Sequence, residues 1–177
     1  MEDTAAALAF ARSPEAAKLG IDSRHIILAG HSMGGATAFM TAANSTGLDG
    51  LILIDAWNIA GKNSKGADTR ETLAKGFDDF GNSLHGATPE TVAEEVMARR
   101  SEWNLVATAA KLAQLPVLTI NARYGIGATN QPVTEAMQKA GARVTAVTID
   151  SDHSFTDHRM ALAVTVTSWL HRIWARR

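Results

Sequence analysis

The chain has 177 residues, 46% of them hydrophobic, and its 17 basic and 18 acidic side chains leave a formal net charge of -1. That size can bury a respectable core in one domain, and the near-neutral balance gives no electrostatic reason to expect nucleic acid or an anionic membrane as partner. With no cysteine in the chain, disulfides, thiolate metal sites and a thiol nucleophile are all excluded.

Met1-Glu2-Asp3-Thr4 is acidic and lacks the basic segment and apolar run of a signal peptide, so a cytoplasmic protein is expected. No apolar stretch reaches the ~20 residues of a membrane span. Thr4 to Ala11 favours helix, and Ser13-Pro14-Glu15 reads as a cap with proline at the first helical position. Gly20 to Arg24 turn into a first strand at Ile26 to Ala29, which stops at Gly30-His31-Ser32-Met33-Gly34-Gly35. This is Gly-x-Ser-x-Gly: a strand turning sharply into a helix holds the serine oxygen clear of the backbone, which requires small flanking residues. Gly34 to Asn44 supply that helix. Leu51 to Ile54 form a second strand without polar alternation, the mark of a strand buried on both faces. It ends at Asp55-Ala56-Trp57.

Residues 59–112 have a different texture, with a polar loop at Gly61 to Gly66 and helices expected over Thr69 to Phe80 and from Thr88 through Arg100. Lying between two core strands, this insertion reads equally as a helical lid or as a plain connecting layer. Leu115 to Asn121 is the third strand, with Pro116 where an amide is least needed. Gln131 to Ala140 is helical, Arg143 to Ile149 is the fourth strand, and a last helix covers His158 to Arg177. Strands alternating with helices imply right-handed parallel crossovers, hence an α/β fold with an open, mostly parallel, doubly wound sheet of about four strands. Residues 1–177 form one domain in this reading. The four tryptophans, Trp57, Trp103, Trp169 and Trp174, are expected in the core.

In open parallel sheets, reactive groups gather at the carboxyl ends of the strands. Ser32, Asp55 and His153 each lie just past such an end. A serine hydroxyl needs a base to take its proton, and an imidazole base needs an acceptor on its other nitrogen. The order serine, aspartate, histidine therefore assigns Ser32 as nucleophile, Asp55 as orienting carboxylate and His153 as base. Met33 is the expected oxyanion-hole amide, since it opens the helix. Trp57 and His31 are candidates for substrate binding; for His31, packing or a structural hydrogen bond is the other role. Asp55 has capping as its alternative, His158 is the rival base, and Asp150 and Asp152 are fallback acids too close in sequence to His153 to orient it well. No metal or cofactor is required by this chemistry.

With these motifs the sequence resembles an alpha/beta-hydrolase-fold serine esterase. Most members carry the acid after the strand equivalent to Leu115 to Asn121, where this chain has Asn121-Ala122-Arg123-Tyr124-Gly125 and no carboxylate. Ile54-Asp55-Ala56-Trp57, with Asp152-His153-Ser154-Phe155, is similar to the platelet-activating-factor acetylhydrolase group and its bacterial relatives, in which the aspartate before Ala-Trp is the acid. The resemblance implies hydrolysis of short-chain acyl esters through an acyl-enzyme, with an acyltransferase or a catalytically weak binding or assembly module as the alternatives. The family has several strands before the elbow, one of them continued by a loop that donates a second oxyanion amide; here only residues 1–25 precede the elbow strand. The elbow strand is thereby expected at an exposed sheet edge, with a homodimer covering it.

Overall fold

A computed structural model describes residues 1–61, 69–78 and 85–175. Four strands, β1 (Ile27–His31), β2 (Gly50–Ile54), β3 (Pro116–Ala122) and β4 (Arg143–Ile149), form one parallel sheet in the order β1-β2-β3-β4. The register pairs His31 with Ile54 and Ile54 with Ile120, and it brings Ala122 opposite Ile149. The carboxyl ends of all four strands are thereby level along one rim. β2 and β3 are buried almost throughout, which is why their sequences show no polar alternation.

Helices cover both faces. On one side α3 (Met33–Ala43), α7 (Leu105–Thr108) and α8 (Gln131–Lys139) pack Phe39, Leu105, Val133 and Met137 onto Leu51, Leu53 and Val117. On the other, α9 (Arg159–Trp174) lays Trp169 over Ile52, Leu118 and Ile120. The side chains of β2 alternate accordingly, Leu51 and Leu53 facing one layer and Ile52 the other. A Cβ at Gly50 would lie 2.6 Å from the Trp169 ring, so glycine there makes room for the indole. At the amino end, α1 (Glu2–Ala11) and α2 (Pro14–Lys18) come one after the other, the latter capped by Ser13, whose hydroxyl accepts from the Ala16 amide at 3.2 Å.

Between β2 and β3, α4 (Arg70–Gly76) and α5 (Pro89–Ala98) enclose a small core of Ile59, Leu73, Phe77, Ala93 and Val96, against which Met33, Trp57 and Trp103 pack. Both helices open with a reciprocal cap built from threonine pairs, Thr69 with Thr72 and Thr88 with Thr91. The expected first helix ends at Gly76, and Asp79 and Phe80 lie outside the described residues, as do positions 62–66 of the glycine-bearing loop. The second helix does not run through Arg100. It stops at Ala98, and α6 (Arg100–Trp103) starts afresh after Arg99, whose φ of -103° and ψ of 15° leave the helical region. The final helix begins at Arg159 with His158 as its cap, and Arg176 and Arg177 lie outside the described residues.

Trp169 is 2% exposed and belongs to the core. Trp174 does not: it is 45% exposed, on the outer side of α9. Among the described residues β1 pairs only with β2 and β4 only with β3, so the elbow strand is an edge. No helix among them is long and apolar enough to cross a membrane.

Candidate active site

β1 delivers Ser32 into a backbone conformation with φ 55° and ψ -122°. A side chain rarely adopts such a conformation, at a cost of about 1–3 kcal/mol that the surroundings must offset. Three elements hold it. The Ser32 amide donates to Ile54 O (3.0 Å), its carbonyl accepts from the Trp57 amide (2.9 Å), and the same carbonyl accepts from Gly35 (3.0 Å) as α3 begins. The intrahelical ladder thus starts at Gly35, which leaves the amides of Met33 and Gly34 ahead of it at the positive end of the helix.

The turn needs two glycines, and only one of them is a glycine of the Gly-x-Ser-x-Gly motif. A Cβ at Gly30 would overlap the carbonyl of Gly34 and stand 2.6 Å from Gly35 N, while one at Gly35 would stand 2.5 Å from the Ala56 side chain. At Gly34 nothing lies within 4 Å. The requirement for a small residue falls on Gly30 and Gly35, where strand and helix touch, and not on Gly34.

Asp55 lies just past β2 with φ 40° and is completely buried. A buried carboxylate must be bonded, and this one is. Oδ1 accepts from the Ala122 amide (3.1 Å), and Oδ2 accepts from the Ile126 amide (3.0 Å) and from His153 Nδ1–H (2.6 Å). The turn after β3, which has no acid of its own, therefore serves as the cradle of the acid on β2. Its glycines make that approach possible: a Cβ at Gly125 would run into Oδ2 of Asp55, and one at Gly127 would come within 3.1 Å of Oδ1.

His153 lies in the loop between β4 and α9. Arg123 and Tyr124 donate their amides to Ile149 O (2.9 Å) and Ser151 O (3.1 Å), which joins this loop to the acid's cradle. Phe155, 1% exposed and with φ 53°, anchors its far side in the core. Ser151 Oγ donates to Asp157 (2.5 Å), and this bond, helped by His158, holds the Asp157 carboxyl below its usual range. The imidazole is 35% exposed. With Nδ1–H given to Asp55, Nε2 is left with the lone pair that a base needs. His31, next to the serine, turns toward this loop and lays its ring against that of His153, with centroids 4.5 Å apart and Nε2–H donating to His153 O at 2.8 Å.

The structure thus brings Asp55 and His153 into direct contact and links them to the Ser32 strand through His31. Among the described residues Ser32 Oγ has no side-chain hydrogen bond, so the step from serine to imidazole is not closed by a direct bond. The rivals sit elsewhere. Asp150 pairs with Arg123 (2.6 Å), Asp152 accepts from Thr156 (3.2 Å), and His158 caps α9. Trp57 stacks on Phe77 with centroids 5.4 Å apart, so its ring is held by the α4–α5 core beside Met33. Four residues escape sequence reasoning: Ala122 and Ile126, through their amides, and Gly125 and Gly127, which admit Asp55. Backbone donors have no residue signature; the pattern Gly125-x-Gly127 was the only visible trace. No group of three or more histidine, aspartate or glutamate side chains among the described residues could hold a metal ion.

Comparison with known proteins identifies the family and the fold. Residues 1–165 match the model of the alpha/beta hydrolase family. A carboxyl esterase of the fungus Tuber melanosporum superposes with a TM-score of 0.58 at 16% identity, covering 87% of this chain and 54% of the esterase. A thermophilic esterase from Thermogutta terrifontis gives a TM-score of 0.53 at 21% identity, covering 88% of this chain and 68% of that one. An acylaminoacyl peptidase of Pyrococcus horikoshii gives 0.60 at 14% identity, over 85% of this chain but only 24% of the peptidase. The chain thus spans about half of the fungal esterase and a quarter of the peptidase, and at these identities the likeness is one of fold. No curated protein matches it in sequence. With the family model matching residues 1–165 and a four-stranded parallel sheet in the structure, the chain belongs to the alpha/beta hydrolase family.

Proposed function

We propose that the chain is a serine esterase that hydrolyses short-chain acyl esters with Ser32 as nucleophile, His153 as general base and acid, and Asp55 as its orienting partner. The observation that carries this reading is the 2.6 Å bond from His153 Nδ1 to a carboxylate that is itself fully buried and held by the amides of Ala122, at the end of β3, and Ile126, in the turn after it. A desolvated, rigidly bonded carboxylate fixes the tautomer and orientation of the imidazole and favours the imidazolium that forms when the serine proton arrives.

In the proposed reaction Ser32 Oγ attacks the ester carbonyl carbon and its proton passes to His153 Nε2. The carbonyl oxygen becomes an oxyanion that accepts from the Met33 amide at the start of α3. The tetrahedral centre collapses, the carbon–oxygen bond to the alcohol breaks, and the departing oxygen takes the proton from His153. Water then adds to the acyl-serine with the same imidazole as base, releasing the acid. One oxyanion donor is worth roughly 2.7–4 kcal/mol of transition-state stabilisation, so a second donor beside Met33 matters greatly to the rate. Placement of the acid after β2 supports a position near the platelet-activating-factor acetylhydrolase group. The α4–α5 unit, whose core holds Met33 and Trp57, is read as a cover over the acyl side, and the open edge of β1 as the seat of a second copy.

An organophosphonate serine probe, with intact mass and peptide mapping alongside turnover of p-nitrophenyl acetate, tests the reading. One phosphonyl group per chain on Ser32, abolished in His153→Ala, is the expected result. Folded protein that neither labels nor turns over ester would refute it.

A further inference from the structure

We infer that His31 is a positioning residue for His153: its Nε2–H, bonded to the carbonyl of His153 itself, and its ring, laid against the imidazole, hold the base in line between Asp55 and Ser32. The inference rests on the esterase reading for its kinetic consequence but not for its geometry.

His153 projects from a loop, and a loop side chain has two ways to lose alignment: the backbone can shift, or the ring can rotate about its side-chain bonds. The Asp55 bond restrains one edge of the ring, at Nδ1 (2.6 Å). It does not restrain the backbone of residue 153. The neighbouring ties of the loop are at Ile149 and Ser151 on one side and at Phe155 on the other. The tie at residue 153 itself is the bond from His31 Nε2–H to its carbonyl, at 2.8 Å. With ring centroids 4.5 Å apart and planes inclined by 37°, the two imidazoles are also in contact, so swinging the His153 ring toward β1 is blocked. His31 is well placed for this task because it is the last residue of β1, paired with Ile54 one position before the acid. The same strand end thus fixes the nucleophile, through Ser32, and the base, through His31. The bond needs only an Nε2–H donor and an acceptor carbonyl, so it does not depend on a charge at His31.

The closest conservative replacement is glutamine, whose terminal amide can donate from about the position of the imidazole Nε2. Phenylalanine keeps a flat ring and removes the donor. His31→Ala, His31→Gln and His31→Phe are compared by kcat and KM on p-nitrophenyl acetate, by the second-order rate of phosphonate labelling, and by the far-downfield proton resonance of the His153 Nδ1–H···Asp55 bond, assigned by its loss in Asp55→Asn. A displacement of the base near 1 Å costs about 100-fold in rate. The expected result is a fall of roughly tenfold to 100-fold in kcat and in labelling for His31→Ala and His31→Phe, KM within about twofold, and a broadened or lost resonance. His31→Gln restores most of the rate and the resonance. A wild-type resonance and kcat in His31→Ala would overturn the inference, as would rescue by phenylalanine rather than glutamine. If wild-type protein shows the resonance but no labelling, the esterase reading fails and the resonance in the three variants still decides the role of His31.

Discussion

Replacing Gly125 by alanine adds one methyl group at the point where the acid has least room. Built on the existing backbone, that carbon collides with Asp55 Oδ2 and lies 2.9 Å from the Ala122 Cβ and 3.1 Å from the His153 Cα. The struck oxygen is the one that accepts from both His153 Nδ1 and the Ile126 amide, and every neighbour is buried or tied to backbone. Relief requires either Asp55 or the loop to move by about 1 Å. A shift of that size at a reacting group costs about 100-fold, while complete loss of the acid's hold on the imidazole costs about 10⁴ in kcat. The expected fall in kcat for Gly125→Ala is therefore between those limits, or roughly 2.7–5.5 kcal/mol of barrier at 1.36 kcal/mol per tenfold. Overpacking lowers stability by about 1–3 kcal/mol, which for a chain of this size lowers Tm by roughly 2–12 °C. The assays are phosphonate labelling rate and kcat on p-nitrophenyl acetate, with Tm by circular dichroism. A variant with the labelling rate and Tm of the natural protein would refute the claim that this glycine is there to admit the carboxylate.

The elbow glycines separate in the same way. Gly30→Ala is expected to abolish folding or labelling, because its Cβ overlaps the backbone of Gly34, whereas Gly34→Ala, with open space around it, keeps or raises Tm by virtue of better helix propensity, a difference of about 0.5–1 kcal/mol; thermal melts of both decide it. Asp55→Asn places an amide NH₂ against either the Ile126 or the Ala122 donor, so it is expected to lose about 10⁴ in kcat and about 1–3 kcal/mol of stability, read by kinetics and urea unfolding. Asp157 has its carboxyl held below the ordinary range, mainly by the Ser151 hydroxyl. A depressed folded value stabilises above the unfolded value and is lost as pH falls through the folded one, so the Tm gap between natural protein and Asp157→Asn is expected to be widest near neutral pH and to close on acidification below the usual carboxylate range. A gap that stays constant across the acid range would show that Asp157 contributes by shape alone.

The fold was legible because each strand rests on residue types whose physics is local, and the candidate side chains were legible as positions. The continuous apolar run at Leu51 to Ile54 and the mostly apolar segment Leu115 to Asn121 read as buried strands, and the structure covers both on both faces. Ser32, Asp55 and His153 were placed by their positions just past strand ends. The part that stayed hidden is relational. The turn after β3 looked like a site from which a carboxylate had gone missing; in the structure the last amide of β3 and the Ile126 amide of the turn hold the carboxylate that follows the neighbouring strand. No residue preference marks an amide donor, so composition could not show it. The pairing of β2 with β3 explains why the exchange works. Ile54 lies beside Ile120, and the Asp55 amide goes on to bond Ile120 O at 2.6 Å, so an acid leaving β2 enters the turn that leaves β3 without any change in the sheet. The same reasoning accounts for His31. Pairing with Ile54 puts it at the rim, but whether its ring turns away from the loop after β4 or onto it depends on where that loop runs, which Phe155 and the Arg123 and Tyr124 amides determine from elsewhere in the chain. His31 was thus readable as a polar residue next to Ser32, while its contact with His153 became visible only once the end of β1 and the loop after β4 were brought together.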